Sequence, residues 1–569
     1  MSLTDRLAAA RGDIPADLVL RRARLINVIS GEIYETDIAI HDRYVVGLGA
    51  GYEAHQQIDL NGKYVSPAFI DAHVHIESSL VTPPQFSRAV LPHGVTTVIT
   101  DPHEIANVLG LEGIRFMLER AKNGLLNMYV MASSCVPATH METSGARLEA
   151  DDLQPLVNHP WVLGLAEVMN YPGVAYGDSG MLDKIQLFES KVLDGHCPAM
   201  SGKLLNAYVT AGIQSEHECT TPTEALEKLR AGMTIFIREG TATRNLEPLL
   251  PLITPENHMN ICFCTDDRVP ASLIDDGSID YMVRVAIAHG VDPIHAIRMG
   301  TINTARYFGL KKLGAVAPGR YADLIVFSNL QHIVPEMVYR GGQLVAQNGQ
   351  MVVDTPPLRP LDLRSTMNVR LDTLDFTIPA TGEQIHVIGT IEDQIVSKHL
   401  IEDALIKEGY FVSDVERDLL KFAVIERHRA TGNIGKGFIK GFGLKCGAIA
   451  GTVAHDHHNL TVIGVDDTSI KTAVHTVIEM GGGLVVVDGE TVLARLSLPV
   501  AGLMSEEPIE AVRAAYDELI SQAHKLGNRM TDPFMTMSFM GLEVIPKLKL
   551  TDMGLVDVEQ FKIIGLAIE

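Results

Sequence analysis

Two histidines separated by one residue, His73 and His75, lie in the run DAHVHIESS. On a β-strand, residues two positions apart project from the same face, so both imidazoles could bind one cation at about 2.0–2.1 Å. The same spacing also occurs in surface or hydrogen-bonded histidines. The pair therefore indicates a metal site only together with further ligands.

Further ligand-type side chains follow at intervals along the chain. Glu167 lies in GLAEVMN, His196 in DGHCP, His217 in SEHE and Asp266 in CTDD. Four histidines and two carboxylates are enough to hold two ions with a carboxylate between them. We therefore predict a binuclear metal site with these ligands: His73, His75, Glu167, His196, His217 and Asp266.

This ligand set predicts hydrolytic chemistry. Two ions about 3.5 to 4 Å apart lower the pKa of a bound water toward neutrality and supply hydroxide at pH 7. Asp266 would accept the proton of the attacking water and then pass a proton to the leaving group. The sequence thus favours a metal-dependent hydrolase.

The run TDPHEIANV contains Asp101, His103 and Glu104, which offer three alternatives. They could bind an additional cation, contact the substrate, or cap the helix that follows. Directly after the histidine pair, Glu77 and Ser78 either face the pocket and bind substrate or cap the next helix.

Two other polar segments are predicted to be structural. In FIREG, Arg238 and Glu239 favour a mutual ion pair over substrate contact, although Glu239 stays a substrate-binding candidate. In AHDHHN, three histidines surround Asp456; we predict an exposed polar turn rather than a metal loop or a flap over the barrel. These histidines are His455, His457 and His458.

The elements that position these residues form a regular pattern between residues 65 and 309. Short apolar or β-branched runs alternate with longer stretches suited to helices, which is typical of parallel βα units. Eight such runs predict a TIM-type (β/α)8 barrel, whose catalytic groups lie at the carboxyl ends of the strands. The runs are VSPAFIDAH, VTTVITD, MYVMASS, VLGLAE, KVLDGH, GIQSEH, MTIFIRE and NICFCTD.

The rest of the chain predicts two further units. Residues 1–64 and 310–365 contain short strands separated by turn residues, and we expect them to meet in one small split β-sandwich domain into which the barrel is inserted. Residues 366–569 mix strand and helix patterns and predict a separate C-terminal α/β domain. The fold class is therefore α/β overall.

Composition excludes several classes of function. A net charge of -23 without a Lys/Arg-rich run argues against nucleic-acid binding. No signal peptide and no uninterrupted apolar run of membrane-spanning length is visible. Six cysteines without a CxxC pair indicate a reducing cytoplasm, and we expect a homo-oligomer, a dimer or a tetramer.

The motifs together resemble a known family. DAHVHIESS, DPHEIANV, SSCVPAT, AEVMN, SGKLLNAY, SEHE, IREGTA, CTDD and GAVAPGRYADLIVF are similar to the amidohydrolase superfamily, and within it to the bacterial adenine deaminases. AHDHHN is similar to that family's C-terminal domain. The resemblance covers essentially the whole chain and implies hydrolysis of adenine to hypoxanthine and ammonia, a reaction of purine salvage.

The resemblance also implies roles for the residues. His73, His75 and Asp266 would hold the more buried ion, Glu167 would bridge, and the other two histidines would hold the second ion. The metals would be Mn²⁺ or Fe²⁺, with Zn²⁺ also compatible. For the group that protonates the purine ring, Asp267 comes first, followed by Glu77, Glu104 and Glu239.

Two alternatives stay open from the sequence. The same hydroxide could act on an amide or N-acetyl substrate, because function depends on the site rather than on the fold. A non-catalytic relative with a structural role is the second alternative, but such a chain would be expected to have lost ligands, and this one retains all six.

Overall fold

The N-terminal segment forms one helix and five strands. The structure is a computed structural model that describes residues 2–122, 124–355, 362–391 and 394–568. Ser2 caps the first helix, since its hydroxyl accepts the backbone N–H of Asp5. These elements are α1 (Leu3–Arg11), β1 (Ala16–Asn27), β2 (Glu32–His41), β3 (Tyr44–Leu48), β4 (Ala54–Asp59) and β5 (Tyr64–Pro67).

The next strands are parallel and include all eight predicted runs. β10-β9-β8-β7-β6-β14 form one sheet and β11-β12-β13 another, and the N–H of Gln214 donates to the carbonyl of Leu193 between them at 3.3 Å. The domain is therefore of the TIM type. The strands are β6 (Phe69–His75), β7 (Val95–Thr100), β8 (Asn127–Ala132), β9 (Val162–Val168), β10 (Val192–Gly195), β11 (Ser215–Glu216), β12 (Thr234–Arg238), β13 (Ile261–Cys264) and β14 (Asp266–Asp267).

Helices connect these strands and pack on them through one apolar face. The helix over 111–122, for example, buries Ile114, Met117 and Ala121, which lie three or four positions apart. The helices are α2 (Pro83–Val90), α3 (His103–Leu109), α4 (Leu111–Lys122), α5 (Ala150–Leu153), α6 (Tyr171–Tyr176), α7 (Ser179–Leu187), α8 (Gly202–Thr210), α9 (Pro222–Arg230), α10 (Leu246–Leu249), α11 (Pro270–Asp275), α12 (Ile279–Ala288), α13 (Pro293–Met299) and α14 (Ile302–Tyr307).

Four strands after the barrel return to the N-terminal segment. Val65 of β5 pairs with Leu25 of β1 on one side and with Val326 on the other, so the two flanks share one nine-stranded sheet. The chain therefore leaves this sheet before the parallel strands and returns to it after them. The returning strands are β15 (Leu324–Phe327), β16 (Met337–Arg340), β17 (Gln343–Gln347) and β18 (Gln350–Met351).

The C-terminal part forms an eight-stranded sheet with helices packed on it. Every residue of the strand over 419–425 is buried, as expected for a sheet covered on both faces. The elements are β19 (Gln384–Gly389), β20 (Lys398–Asp403), β21 (Leu405–Lys407), β22 (Tyr410–Val412), β23 (Leu419–Ile425), β24 (Ile434–Lys440), β25 (Ala448–Gly451), β26 (Leu460–Gly464), α15 (Asp467–Glu479), β27 (Gly483–Asp488), β28 (Thr491–Ser497), α16 (Ile509–Lys525), α17 (Pro533–Ser538), β29 (Leu548–Thr551), β30 (Gly554–Asp557) and β31 (Lys562–Ile564). Within the described ranges, no helix has both the length and the apolar character needed to cross a membrane.

The loop AHDHHN, between β25 and β26, is buried against the barrel. Its three histidines and Asp456 are at most 2% exposed. Asn459, next to them, donates from its side chain to the carbonyl of Thr143 in the barrel at 2.9 Å. The prediction of an exposed polar turn is therefore wrong, because partners in the barrel replace water around these polar groups.

Candidate functional site

His73 and His75 end β6 with their ring nitrogens facing each other. The two Nε2 atoms are 3.0 Å apart, and both rings are buried. The Nδ1–H of His75 donates to the carbonyl of Asp101 at 2.9 Å, which leaves Nε2 of the neutral ring as an acceptor. An acceptor in this position is suited to a cation, so the pair fits a metal site.

Glu167, at the end of β9, lies between two pairs of histidines. Its Oε1 is 3.2 Å from Nε2 of His75 and 3.7 Å from Nε2 of His73. Its Oε2 is 2.8 Å from Nδ1 of His196 and 3.2 Å from Nε2 of His217. The two oxygens thus face different histidine pairs, which is the geometry of a bridging carboxylate.

Asp266 completes the first half of the cluster from β14. Its backbone has a φ of 56°, the left-handed conformation that Asp tolerates better than most residues. Its Oδ1 lies 3.1 Å from Nε2 of His75 and 3.5 Å from Nε2 of His73. Burial raises the pKa of Asp266, but the charge of Arg238 and the histidine hydrogen bonds hold it well below its usual value.

Arg238 is a buried cation that joins two carboxylates. Its Nη1 donates to Oδ2 of Asp266 at 2.8 Å, and its Nη2 donates to Oε2 of Glu218 at 2.9 Å. Glu239 instead accepts the backbone N–H of Leu246 at 3.1 Å. The predicted ion pair of Arg238 with Glu239 is therefore wrong, since successive strand residues point to opposite faces.

The six predicted ligands belong to overlapping groups that fit metal ions. In each group, one ligand atom per residue lies within 4.8 Å of the others. Imidazole and carboxylate suit manganese, iron and zinc, so this donor set does not distinguish them. The groups are His73, His75 and Asp266; His73, Glu167 and His217; His196, His217 and Glu218; and His75, Asp101, His103 and Glu167.

Asp101 and His103 adjoin the cluster rather than cap the next helix. Nδ1 of His103 is 3.0 Å from Oδ2 of Asp101 and 3.3 Å from Oε1 of Glu167. The residue before α3 is Pro102, which makes no side-chain cap hydrogen bond. Burial lowers the pKa of His103, yet the charges of Asp101 and Glu104 raise it well above the ordinary value.

Glu104 connects the barrel to the C-terminal domain. Its Oε1 lies 2.6 Å from Nδ1 of His455, and its Oε2 accepts a hydrogen bond from Nε2 of His458. Burial raises the pKa of Glu104, but the charges of both histidines lower it well below the usual range. Glu104 is thus an ionised, hydrogen-bonded carboxylate.

Asp267 and Ser78 contact each other at the cluster, whereas Glu77 points elsewhere. The hydroxyl of Ser78 donates to Oδ1 of Asp267. Burial and the charge of Asp266 raise the pKa of Asp267 to about 6. Oε1 of Glu77 accepts the N–H of Ile105 at 3.2 Å, at the start of α3.

A small chamber lies over the cluster. It holds about 40 Å³ and adjoins a cleft of about 700 Å³. The two cavities share Glu218, Arg238, Thr243, Ile395, Phe539 and Ile545. Of the predicted residues, these line the chamber: His75, His103, Glu104, Glu167, His196, His217, Asp266 and Asp267. The other predicted residues are outside that lining: His73, Glu77, Ser78, Asp101 and Glu239.

One wall of the chamber was not predicted from the sequence. Ile395, His455, Phe539, Leu542 and Ile545 line it from the C-terminal domain. Only AHDHHN offered a signal, namely a dense group of histidines. The apolar residues lie more than 100 positions from the nearest predicted ligand, so the sequence pattern gave no indication of their place.

Two family models match the chain. Residues 64–352 match the amidohydrolase family, and residues 394–562 match the adenine deaminase C-terminal domain. The chain belongs to the adenine deaminase family. Adenine deaminase of Desulfatibacillum aliphaticivorans is 50% identical over 98% of this chain and 99% of its own length. Adenine deaminase 2 of Carboxydothermus hydrogenoformans is 47% identical over 100% of both chains.

A solved structure with similarity to the chain is D-hydantoinase (dihydropyrimidinase) from Thermus sp. It covers 59% of this chain and 97% of its own, with 17% sequence identity and a TM-score of 0.44. The family relation of this chain rests on the full-length relatives and on the two family models.

Proposed function

We propose that this protein catalyses the hydrolytic deamination of adenine to hypoxanthine and ammonia. The assignment of adenine as the substrate rests on one observation: the chain matches adenine deaminases over almost the full length of both chains at 47% to 50% identity. The cluster around Glu167 supports the reaction class, because buried histidines and carboxylates at strand ends suit a hydrolytic metal centre.

The cofactor we propose is a pair of divalent ions, Mn²⁺ or Fe²⁺, with Zn²⁺ compatible. Glu167 would hold both, because its two oxygens face different histidine pairs. Ions of this kind lower the pKa of a water molecule toward neutrality. The proposed ligands are His73, His75, Glu167, His196, His217 and Asp266.

Asp266 is proposed to handle the proton of the attacking water. Its low pKa keeps the carboxylate ionised, and Arg238 holds the second oxygen in place. Water adds to C6 of the purine, and Asp266 accepts one of its protons. The same proton then goes to the exocyclic amine, which leaves as ammonia while the C6–N bond breaks.

Asp267 is proposed to protonate the purine ring nitrogen during the addition and to recover a proton from the C6 hydroxyl when that group becomes the carbonyl of hypoxanthine. Of the four carboxylates considered from the sequence, Glu77 and Glu239 are outside the chamber lining. Glu104 already accepts two histidine hydrogen bonds and has a lowered pKa. Asp267 lines the chamber, and its pKa of about 6 suits a group that carries a proton near neutral pH.

For the architecture, we propose a closed (β/α)8 barrel at residues 65–309 inserted in a split β-sandwich formed by 1–64 and 310–365. Residues 366–569 would form the C-terminal α/β domain. The pairing of β5 with both β1 and β15 supports the division. We also propose a cytoplasmic homo-oligomer, a dimer or a tetramer; the six free cysteines agree with a reducing compartment.

The test is direct turnover by metal-loaded protein. Incubation with adenine should release hypoxanthine and ammonia in equal amounts, and a chelator should abolish the release. A cyclic amide and an N-acetylated amine, assayed in parallel, should not be hydrolysed. The proposal fails if adenine is unchanged with manganese and iron each supplied while either amide substrate is consumed.

A further inference from the structure

One wall of the chamber comes from a domain that supplies none of the proposed metal ligands. His455 and Asp456 come from the loop between β25 and β26, and Phe539 lies just after α17. This wall faces the same small space as Glu167 and Asp267. Any molecule that reaches the cluster therefore contacts the C-terminal domain.

His455 is fixed in orientation on two sides. Its Nδ1 lies 2.6 Å from Oε1 of Glu104, and its ring stacks on Phe539 with centroids 4.5 Å apart and planes 9° from parallel. Among the described residues, its buried Nε2 has no hydrogen-bond partner. Because an unpaired buried polar atom is unfavourable, this nitrogen is suited to a ligand in the chamber.

Asp456 offers a second unpaired atom beside it. Its Oδ2 is buried and has no partner within the described ranges, and the residue is 2% exposed. Two adjacent residues that line the same chamber thus each have an unpaired polar atom, one ring nitrogen and one carboxylate oxygen. A donor next to an acceptor matches the edge of a purine, where a ring nitrogen lies beside an N–H group.

The group of Glu104, His455 and His458 does not fit a further metal site. The backbone N–H of Ala454 donates to Nδ1 of His458 at 3.1 Å, so that nitrogen carries no hydrogen. In the neutral ring the hydrogen is then on Nε2, which donates to Glu104. A nitrogen that carries a hydrogen cannot bind a cation, so Glu104 serves to hold the two histidines.

We propose that His455 and Asp456 recognise the N3 and N9–H edge of adenine. Nε2–H of His455 donates to N3, and Oδ2 of Asp456 accepts N9–H. Glu104 acts as a positioning residue that holds the imidazole through Nδ1. This inference rests on the proposed function, since it names the substrate contacts of the same site.

The chemistry of the reaction favours this edge over the opposite one. The other donor and acceptor pairs of adenine combine the exocyclic amine with N1 or with N7, and that amine must leave. The N3 and N9–H edge is unchanged in the product, so fixed partners can hold it throughout. Burial lowers the pKa of His455, but Glu104 raises it to about 9, which keeps a hydrogen on Nε2 at neutral pH.

Two substitutions of His455 test the roles of its two ring nitrogens separately. The amide of Asn reaches about as far as Nδ1, so His455→Asn keeps the bond to Glu104 and removes the group at Nε2. The longer Gln places a donor near the position of Nε2. His457→Asn is the matched control, because His457 lies in the same loop and is equally buried but is outside the chamber lining.

The experiment measures kinetics with adenine and 3-deazaadenine, and calorimetric binding of the product hypoxanthine, with the metal-loaded full-length protein. His455→Asn should raise KM for adenine and Kd for hypoxanthine about tenfold or more, with kcat changed less than about threefold, and His455→Gln should recover part of the loss. The wild type should prefer adenine over 3-deazaadenine about tenfold, and His455→Asn should abolish that preference. The control variant, His457→Asn, should have the same kinetic and binding constants as the wild type.

An unchanged KM for adenine or an unchanged Kd for hypoxanthine in His455→Asn would overturn the inference, and so would an unchanged preference for adenine over 3-deazaadenine. If His455→Asn instead lost the preference for adenine over 7-deazaadenine, the assignment of His455 to the N3 and N9–H edge would be overturned. Calorimetric binding needs no turnover, so the proposed contacts of His455 and the proposed deamination of adenine can be contradicted independently. A wild type that shows this binding pattern without deaminating adenine would contradict the proposed function alone.

Discussion

Nδ1 of His196 lies 2.8 Å from Oε2 of Glu167, on the opposite side of the carboxylate from the histidine pair that ends β6. One side chain therefore touches both halves of the cluster. Burial raises the pKa of Glu167, but hydrogen bonds from His103, His196 and His217 hold it well below the usual range. The negative charge of Glu167 is thus stabilised by hydrogen-bond donors on both sides, and it suits a cation on either side.

Replacement of Glu167 by Gln should remove the bridge while preserving the shape of the side chain. A neutral amide cannot bind two cations, so we expect the metal content per chain to fall and adenine turnover to fall by about 100-fold or more. Elemental analysis and ammonia release measure the two effects. Glu256→Gln, at an exposed position, should change neither. Retention of activity within about tenfold would rule out the bridging role.

Replacement of Asp267 by Asn should separate proton transfer from metal binding. We expect kcat to fall by about 100- to 10,000-fold while the metal content stays at the wild-type level, because a general acid acts on the reaction and not on the ions. Ser78→Ala, which removes the hydrogen bond to Asp267, should cause a much smaller loss. Parallel loss of metal in Asp267→Asn would instead identify Asp267 as a ligand.

Removal of the Arg238 cation should destabilise the protein. Arg238→Met leaves Glu218 and Asp266 as buried carboxylates without their shared partner, a change that typically costs about 3–5 kcal/mol. We expect a lower thermal unfolding midpoint of the metal-free protein. Arg244→Met tests a half-exposed arginine 3.9 Å from Asp276, and its midpoint should shift little. Equal shifts in both variants would contradict the buried bridge.

The pH dependence of kcat/KM should show the loss of a proton from His455. The pKa of His455 is raised to about 9, so its ring is protonated below that pH and loses the Nε2–H donor as the pH rises through it. We expect kcat/KM of the wild type to decline above about pH 9 relative to His455→Asn. Adenine itself deprotonates in alkaline solution, but equally in both assays, so the ratio of the two profiles isolates His455. A constant ratio would exclude its protonated form from binding.

The six candidate ligands could be predicted from the sequence to lie together because each one ends a strand run. His73, His75 and Glu167 follow apolar segments whose length and spacing define parallel strands, and parallel strands bring their carboxyl ends to one edge. The sequence also found that the flanks join, since their strand pattern resumes after the barrel. Both inferences depend on local periodicity alone.

The C-terminal wall could not be found in this way. Whether His455 is exposed depends on the docking of two domains, which leaves no periodic pattern in the chain. The same holds for Arg238, whose neighbour in sequence, Glu239, suggested a pair that the alternation of the strand prevents. Contacts between distant segments decide the roles of these residues.

Titration of the metal-free protein with Mn²⁺, with adenine turnover as the readout, tests the central claim most directly. We expect activity to be absent without metal, to rise until about two ions are bound per chain, and then to stay constant, with hypoxanthine and ammonia formed in equal amounts. Full activity in the metal-free protein, or a maximum at one ion per chain, would contradict the bridged pair of ions at Glu167.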